Sequence, residues 1–247
     1  ANAWGGLGLL QMPSARMREE GSLAVTFSRT EPYTRYNIIA QPFTWMEAGF
    51  RYTDIANRAY GAANAAGDQS YKDKGFDAKF GLWSESMWLP QVALGFIDVA
   101  GTGLFSSEYL VASKRTGSLD WTAGVTWGYL AGETRNQALV GQGGNFSFRN
   151  FFGGSPQPFG GVQWIMPWAP VVLKAEYDPN SYQNEPLGNR FDQKSHLNYG
   201  LVYRQNSWLD WTVGFERGNR VSFGIALRSD LGRLSPPKIS HPPPRRV

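Results

Sequence analysis

The chain has 247 residues, 29 of them glycine and none cysteine, with 15% aromatic and 18% charged residues and a net charge of +4. Mean hydropathy is −0.38, and no run approaches the ~18 consecutive apolar residues of a spanning helix, which excludes a helical membrane protein. Without cysteine there is no disulfide or thiolate metal centre, and the basic excess sits largely in the tail (Lys238, Arg245, Arg246) rather than in a stripe suited to nucleic acid.

The chain opens Ala1-Asn2-Ala3-Trp4, like a mature end just beyond a small-residue cleavage site. Residues 1–21 are glycine-rich, then polar, and are expected to form a periplasmic segment or a plug at the mouth of a barrel. From residue 22 a period of two takes over, the repeat of a strand with one apolar and one polar face. It predicts twelve strands, at 22–30, 33–42, 44–55, 71–83, 90–100, 105–116, 119–130, 159–168, 170–179, 196–206, 208–217 and 220–230. The clearest run is 119–129, where Trp121, Ala123, Val125 and Trp127 alternate with Asp120, Thr122, Gly124 and Thr126. In the third strand Met46, Ala48, Phe50 and Tyr52 oppose Glu47, Gly49, Arg51 and Thr53. The fifth and sixth alternate less cleanly.

An apolar face rich in Trp and Tyr, backed by glycine, threonine and charge, fits a transmembrane β-barrel with lipid outside and water inside. A soluble barrel or sandwich would not set charges on its concave face so consistently. Connections after even-numbered strands are mostly short (41–44, 117–118, 167–170, 205–207), whereas several after odd-numbered strands are long (56–70, 131–158 and 180–195). That parity matches short periplasmic turns, longer external loops and two periplasmic termini. Closure would leave no unpaired edge in hydrocarbon, and Phe43, Trp45, Trp83, Trp88, Trp168 and Trp208 are placed to form an interfacial girdle. The expected organisation is an N-terminal segment at 1–21, an all-β, antiparallel up-and-down barrel at 22–230, and a proline-rich linker at 231–247 leading into further natural sequence.

Candidate lumen-lining residues are Arg35, Glu47, Arg51, Asp77, Lys79, Glu108, Lys114, Lys174, Glu176, Asp178, Arg204, Asp210, Glu216 and Arg228. Such a wall suits guidance of a glycan, or more simply a ladder of ion pairs filling a modest twelve-stranded lumen. In the long loop, Phe146, Phe148, Arg149, Phe151 and Phe152 form either a platform for sugar faces or an inward-folded plug. No catalytic or metal site emerges. The two histidines, His196 and His241, show no nucleophile–base pairing, and Asp178, Asn180 and Asn184 do not have the spacing of an EF-hand loop. Gly5-Gly6-Leu7-Gly8 and Gly141-Gln142-Gly143-Gly144 lack the setting of a phosphate cradle. No cofactor is expected.

Three stretches resemble the YjbH family of exopolysaccharide-biosynthesis proteins, which includes the group 4 capsule outer-membrane component. They are Gly6-Leu7-Gly8-Leu9-Leu10-Gln11-Met12-Pro13-Ser14-Ala15-Arg16-Met17, the run from Gln41 to Thr53, and the block from Lys72 to Lys114. That block holds Lys72-Asp73-Lys74-Gly75-Phe76-Asp77 and Gly101-Thr102-Gly103-Leu104-Phe105. The resemblance is strong over the first half and rests on strand pattern beyond it. It implies the amino-terminal barrel of a longer outer-membrane protein in exopolysaccharide or capsule secretion. Outer-membrane lipid, polysaccharide and secretion components would be its partners, and its role that of conduit or anchoring platform. A general diffusion porin and a plugged structural anchor are the alternatives.

Overall fold

The computed structural model describes residues 1–61, 67–134 and 151–230. Twelve strands account for most of them. They are β1 (Ser22–Thr30), β2 (Tyr33–Phe43), β3 (Met46–Ala59), β4 (Ser70–Trp83), β5 (Gln91–Gly101), β6 (Ser107–Thr116), β7 (Leu119–Gly128), β8 (Gln157–Ile165), β9 (Val171–Tyr177), β10 (Leu197–Arg204), β11 (Leu209–Glu216) and β12 (Arg220–Asp230). Each pairs antiparallel with its sequence neighbours, and β1 closes the barrel on β12, from Ser22 opposite Asp230 to Arg29 opposite Phe223. The expected strands are all present, with ends displaced by a few residues.

The two-residue repeat fixes which side chains turn inward. On β7, Trp121 is 48% exposed on the outer wall while Asp120, Thr122 and Thr126 are buried inside. On β3, Glu47, Arg51 and Thr53 point in and Phe50 and Tyr52 point out. The connections after even-numbered strands, none longer than seven residues, share one end of the barrel, opposite the three long loops. The aromatics Phe43, Trp45, Trp83, Trp168 and Trp208 stand half-exposed or more around that short-turn end. Gly117, at φ +60°, closes the two-residue turn between β6 and β7 in a left-handed conformation open to glycine at no steric cost.

Strand β6 departs from expectation. Its inward places are taken by Ser107, Tyr109, Val111 and Ser113, so Glu108 and Lys114 turn outward. Glu108 lies opposite the outward residues Phe96 and Trp127, and Lys114 opposite Trp121. These two are therefore not lumen residues. Charge suggested an inward orientation, but register decides it, since a one-residue slip moves every side chain to the other face.

The lumen is occupied by the chain's own first residues. Leu9, Met12, Ser14 and Ala15 are fully buried, and an isolated bridge between Gly8 and Pro13 closes a tight turn inside the barrel. On the β5–β6 side the inward wall is apolar (Ala93, Ile97, Tyr109, Val111), and it forms one core with Trp4, Leu9, Met12, Phe105 and Tyr129. Such a wall would be poorly matched to a water-filled lumen, but it suits an apolar plug.

Candidate functional site

The site is the interface between this N-terminal plug and the wall. Strand β9 contributes Lys174 and Glu176, two residues apart and so both inward. The Lys174 ammonium donates to the carbonyls of Gly8 (2.6 Å) and Leu9 (2.7 Å). The Glu176 carboxylate accepts the successive backbone N–H groups of Leu10 (2.8 Å), Gln11 (2.9 Å) and Met12 (3.1 Å), together with the Asn198 amide (2.9 Å). The Gln11 side chain donates to Glu216 on β11 at 2.7 Å. A turn held inside a barrel cannot complete a ladder of its own, so its backbone groups need partners from the wall. Charged partners make the stronger bonds. Glycine makes the room: a Cβ at Gly200 would stand 2.5 Å from Leu10, and one at Gly161 2.6 Å from Leu9.

Near the short-turn end the plug leaves through a ring of ion pairs. Arg16 meets Asp120 at 2.6 Å and Glu85 at 2.5 Å, while Glu47 receives both Arg18 (2.6 Å) and Lys79 (3.1 Å). Arg228 pairs with Asp210 at 2.8 Å. Toward the long-loop end Trp4 sits edge-on to Phe105 and Tyr129. The Arg35 and Arg51 guanidinium groups lie 4.2 and 5.0 Å from the Trp4 ring centroid, within cation–π range. Arg51, wholly buried, also pairs with Asp77 at 3.1 Å. Two cavities of about 30 Å³ each flank the plug, one lined by Trp4, Gly6 and Leu7 and the other by Ala3 and Leu10.

The segment between β9 and β10 caps this end. Glu185 accepts the hydroxyls of Tyr33 and Tyr129, and Arg217 lies over the rings of Tyr182 (4.8 Å) and Phe191 (5.4 Å). Asp178, fully buried, accepts the Tyr182 hydroxyl at 2.5 Å and the Asn180 backbone N–H at 3.0 Å. Burial, and then the neighbouring Glu176 carboxylate, push the Asp178 carboxyl up to about 8 against those hydrogen bonds. Burial also raises Glu185, partly offset by its two tyrosine donors.

Of the residues expected to line the lumen, Arg35, Glu47, Arg51, Asp77, Lys79, Lys174, Glu176, Asp178, Asp210 and Glu216 face the plug or its cap. Arg228 joins them through Asp210, and Arg204 is exposed at the short-turn rim. Phe151 and Phe152 do not enter the lumen. They pack on the outward rings of Phe96 (5.4 and 6.1 Å), and Phe152 on Trp127 (5.1 Å), while the Phe152 N–H bonds Glu108. Phe146, Phe148 and Arg149 lie outside the described residues. His196 stacks near the outward Tyr177 and bonds the Asp178 carbonyl, and Ser195 bonds Leu197 instead. Among the described residues no group of three or more acidic or histidine side chains could hold a metal ion.

The YjbH family model, described as "Exopolysaccharide biosynthesis protein YbjH", matches residues 1–247. The "Uncharacterized lipoprotein YjbH" of Escherichia coli (strain K12) is 44% identical over 248 residues, covering 94% of this chain and 35% of that protein. The chain thus spans about a third of that relative's length. Among solved structures, a KdgM porin superposes with a TM-score of 0.45 at 10% identity, covering 84% of this chain and 97% of that one.

Proposed function

The chain belongs to the YjbH family of exopolysaccharide biosynthesis proteins, and from that premise we propose that it is a self-plugged outer-membrane barrel serving exopolysaccharide secretion as an anchoring platform. The observation that carries this reading is the Lys174–Glu176 clamp, which binds five main-chain groups of the plug from one strand. A polymer has no room beside the plug in cavities of about 30 Å³. The barrel acts as a conduit only once residues 1–18 have left it.

The wall supports an outer-membrane location. Closed strands with half-exposed outward aromatics suit hydrocarbon, and the tryptophans at the short-turn end suit an interface. A relative named a lipoprotein fits the same location. By loop parity the short turns, with Ser22 at the start of β1 and Asp230 at the end of β12, face the periplasm, where secretion components would dock. No energy source or reaction is assigned to the barrel.

Two measurements test the reading. In planar bilayers the intact chain is expected to give no steady conductance, and Lys174→Ala with Glu176→Ala is expected to introduce opening steps as the plug loosens. Steady conductance from the intact chain would sink the plugged reading in favour of a diffusion porin. Deleting the gene in its host should deplete extracellular polysaccharide, and unchanged polymer would sink the secretion role.

A further inference from the structure

The connection between β4 and β5, residues 84–90, is the longest at the short-turn end, and it carries an apolar tip. Met87 and Trp88 are 83% and 85% exposed, the two most exposed large hydrophobic side chains among the described residues, and Leu89 beside them is 58% exposed. The backbone beneath them is held. The Ser86 N–H donates to the Leu89 carbonyl at 3.0 Å and the Leu89 N–H to the Ser86 hydroxyl at 3.1 Å, closing a tight turn with Met87 and Trp88 at its apex. The Trp83 indole N–H donates to the Pro90 carbonyl at 2.9 Å and closes the base. Contiguous exposed apolar side chains on a fixed backbone mark a contact surface.

Two anchors decide what this surface meets. Lys114, on the outer wall, donates to the carbonyls of Ser86, Met87 (3.0 Å) and Leu89 (3.5 Å), which draws the tip toward the outside of β6. The tip thereby continues the outward apolar face of the barrel, next to Leu110 and Trp121. A lipid surface is the occupant that such continuity favours, and tryptophan with aliphatic neighbours suits its headgroup level. The second anchor reaches the plug. Glu85 meets Arg16 at 2.5 Å, and the same carboxylate takes Lys114 (3.4 Å) and the Arg115 N–H (2.9 Å). The other side-chain partners of the Arg16 guanidinium, Asp120 and Gln91, belong to strands β7 and β5.

We propose that this connection is a membrane-seated latch on the plug: Met87, Trp88 and Leu89 lie among the headgroups of the periplasmic leaflet, and that seat holds Glu85 on Arg16. The inference rests on the plugged outer-membrane reading and adds to it a means by which the bilayer itself steadies the plug at its exit.

The chain has no cysteine, so Met87→Cys accepts a single environment-sensitive fluorophore. In vesicles of phosphatidylethanolamine and phosphatidylglycerol its emission should shift to the blue and be quenched by a lipid spin-labelled near the headgroup. Water-like emission, absence of quenching, or a signal that follows protein concentration, as for a second copy seated on the tip, would overturn the lipid seat. Hydrogen exchange at residues 14–17 tests the latch in the same vesicles. Trp88→Ser and Glu85→Gln should each accelerate it about fivefold, as for loss of a partly exposed ion pair, and the double variant should add nothing, because both act through one link. Unchanged exchange in Trp88→Ser, or effects that multiply in the double variant, would overturn the coupling. Steady conductance from the intact chain would remove the plugged reading instead, while the fluorophore still reports where the tip lies.

Discussion

The two sides of the lumen hold the same plug by different physics. On the β9–β11 side the contact is polar and directional: Lys174, Glu176 and Glu216 bind named atoms of residues 8–12, and Gly161 and Gly200 clear space for Leu9 and Leu10. On the β5–β6 side the contact is an apolar face of Ala93, Ile97, Tyr109 and Val111, continuous with Trp4, Met12 and Phe105. The polar side fixes register, because a shifted plug would leave charges and backbone groups unmatched. The apolar side contributes burial, which tolerates small displacements.

Trp4→Ala should have the largest effect of any single change on the apolar side. It empties a buried indole site, costing about 3–5 kcal/mol, and removes the ring that Arg35 and Arg51 face. Backbone hydrogen exchange at Leu9–Met12 should then accelerate by about two to three and a half orders of magnitude, at 1.4 kcal/mol per tenfold. Exchange as slow as in the parent would mean that the polar clamp alone holds the plug, with the apolar face contributing little.

Gly200→Val probes the polar side with a smaller expected effect. The new side chain would meet Leu10 where a Cβ alone already comes within 2.5 Å. Overpacking of this kind costs about 1–3 kcal/mol, and it should disturb the turn at Gly8–Pro13 while leaving the Trp4 cluster ordered. Near-UV circular dichroism of the aromatics and exchange at Leu10 and Gln11 separate the two. Loss of both signals together would show that the plug behaves as one unit.

Much of this architecture was legible in the sequence, because lipid outside and polar groups inside write a period of two into every strand. Strand number, antiparallel order and the inward charges of β2, β3, β4, β9 and β11 follow from it. The residues with no period were harder. The turn at residues 8–13 depends on partners about 165 positions away, such as Glu176, and no local pattern announces them. One signal was present in a different guise. Ala93, Ile97, Tyr109 and Val111 make the alternation of β5 and β6 indistinct because both faces there are apolar. In a barrel, a strand apolar on both faces indicates that something other than water covers the inner one, as it does for buried strands elsewhere. The same reading would have turned Glu108 and Lys114 outward.

The cap gives a prediction of sign, opposite to that of an ordinary salt-bridged carboxylate. Asp178 is buried beside Glu176, with its carboxyl pushed up to about 8, against an ordinary value of 3.8. Below pH 4 both folded and unfolded chains carry the proton, and this residue costs nothing. Between about 4 and 8 the unfolded chain releases it while the folded one retains it, so stability falls as pH rises, by at most about 1.4 kcal/mol per unit. Above 8 both forms are ionised and the slope from this group vanishes. Asp178→Asn retains an acceptor for the Tyr182 hydroxyl and removes the titration, so urea unfolding in lipid vesicles should show a flatter profile from pH 5 to 8, with the variant's advantage greatest at pH 8. If both proteins instead gain stability in parallel as pH rises, Asp178 is ionised in its buried site throughout, and the cap is held by its charge rather than despite it.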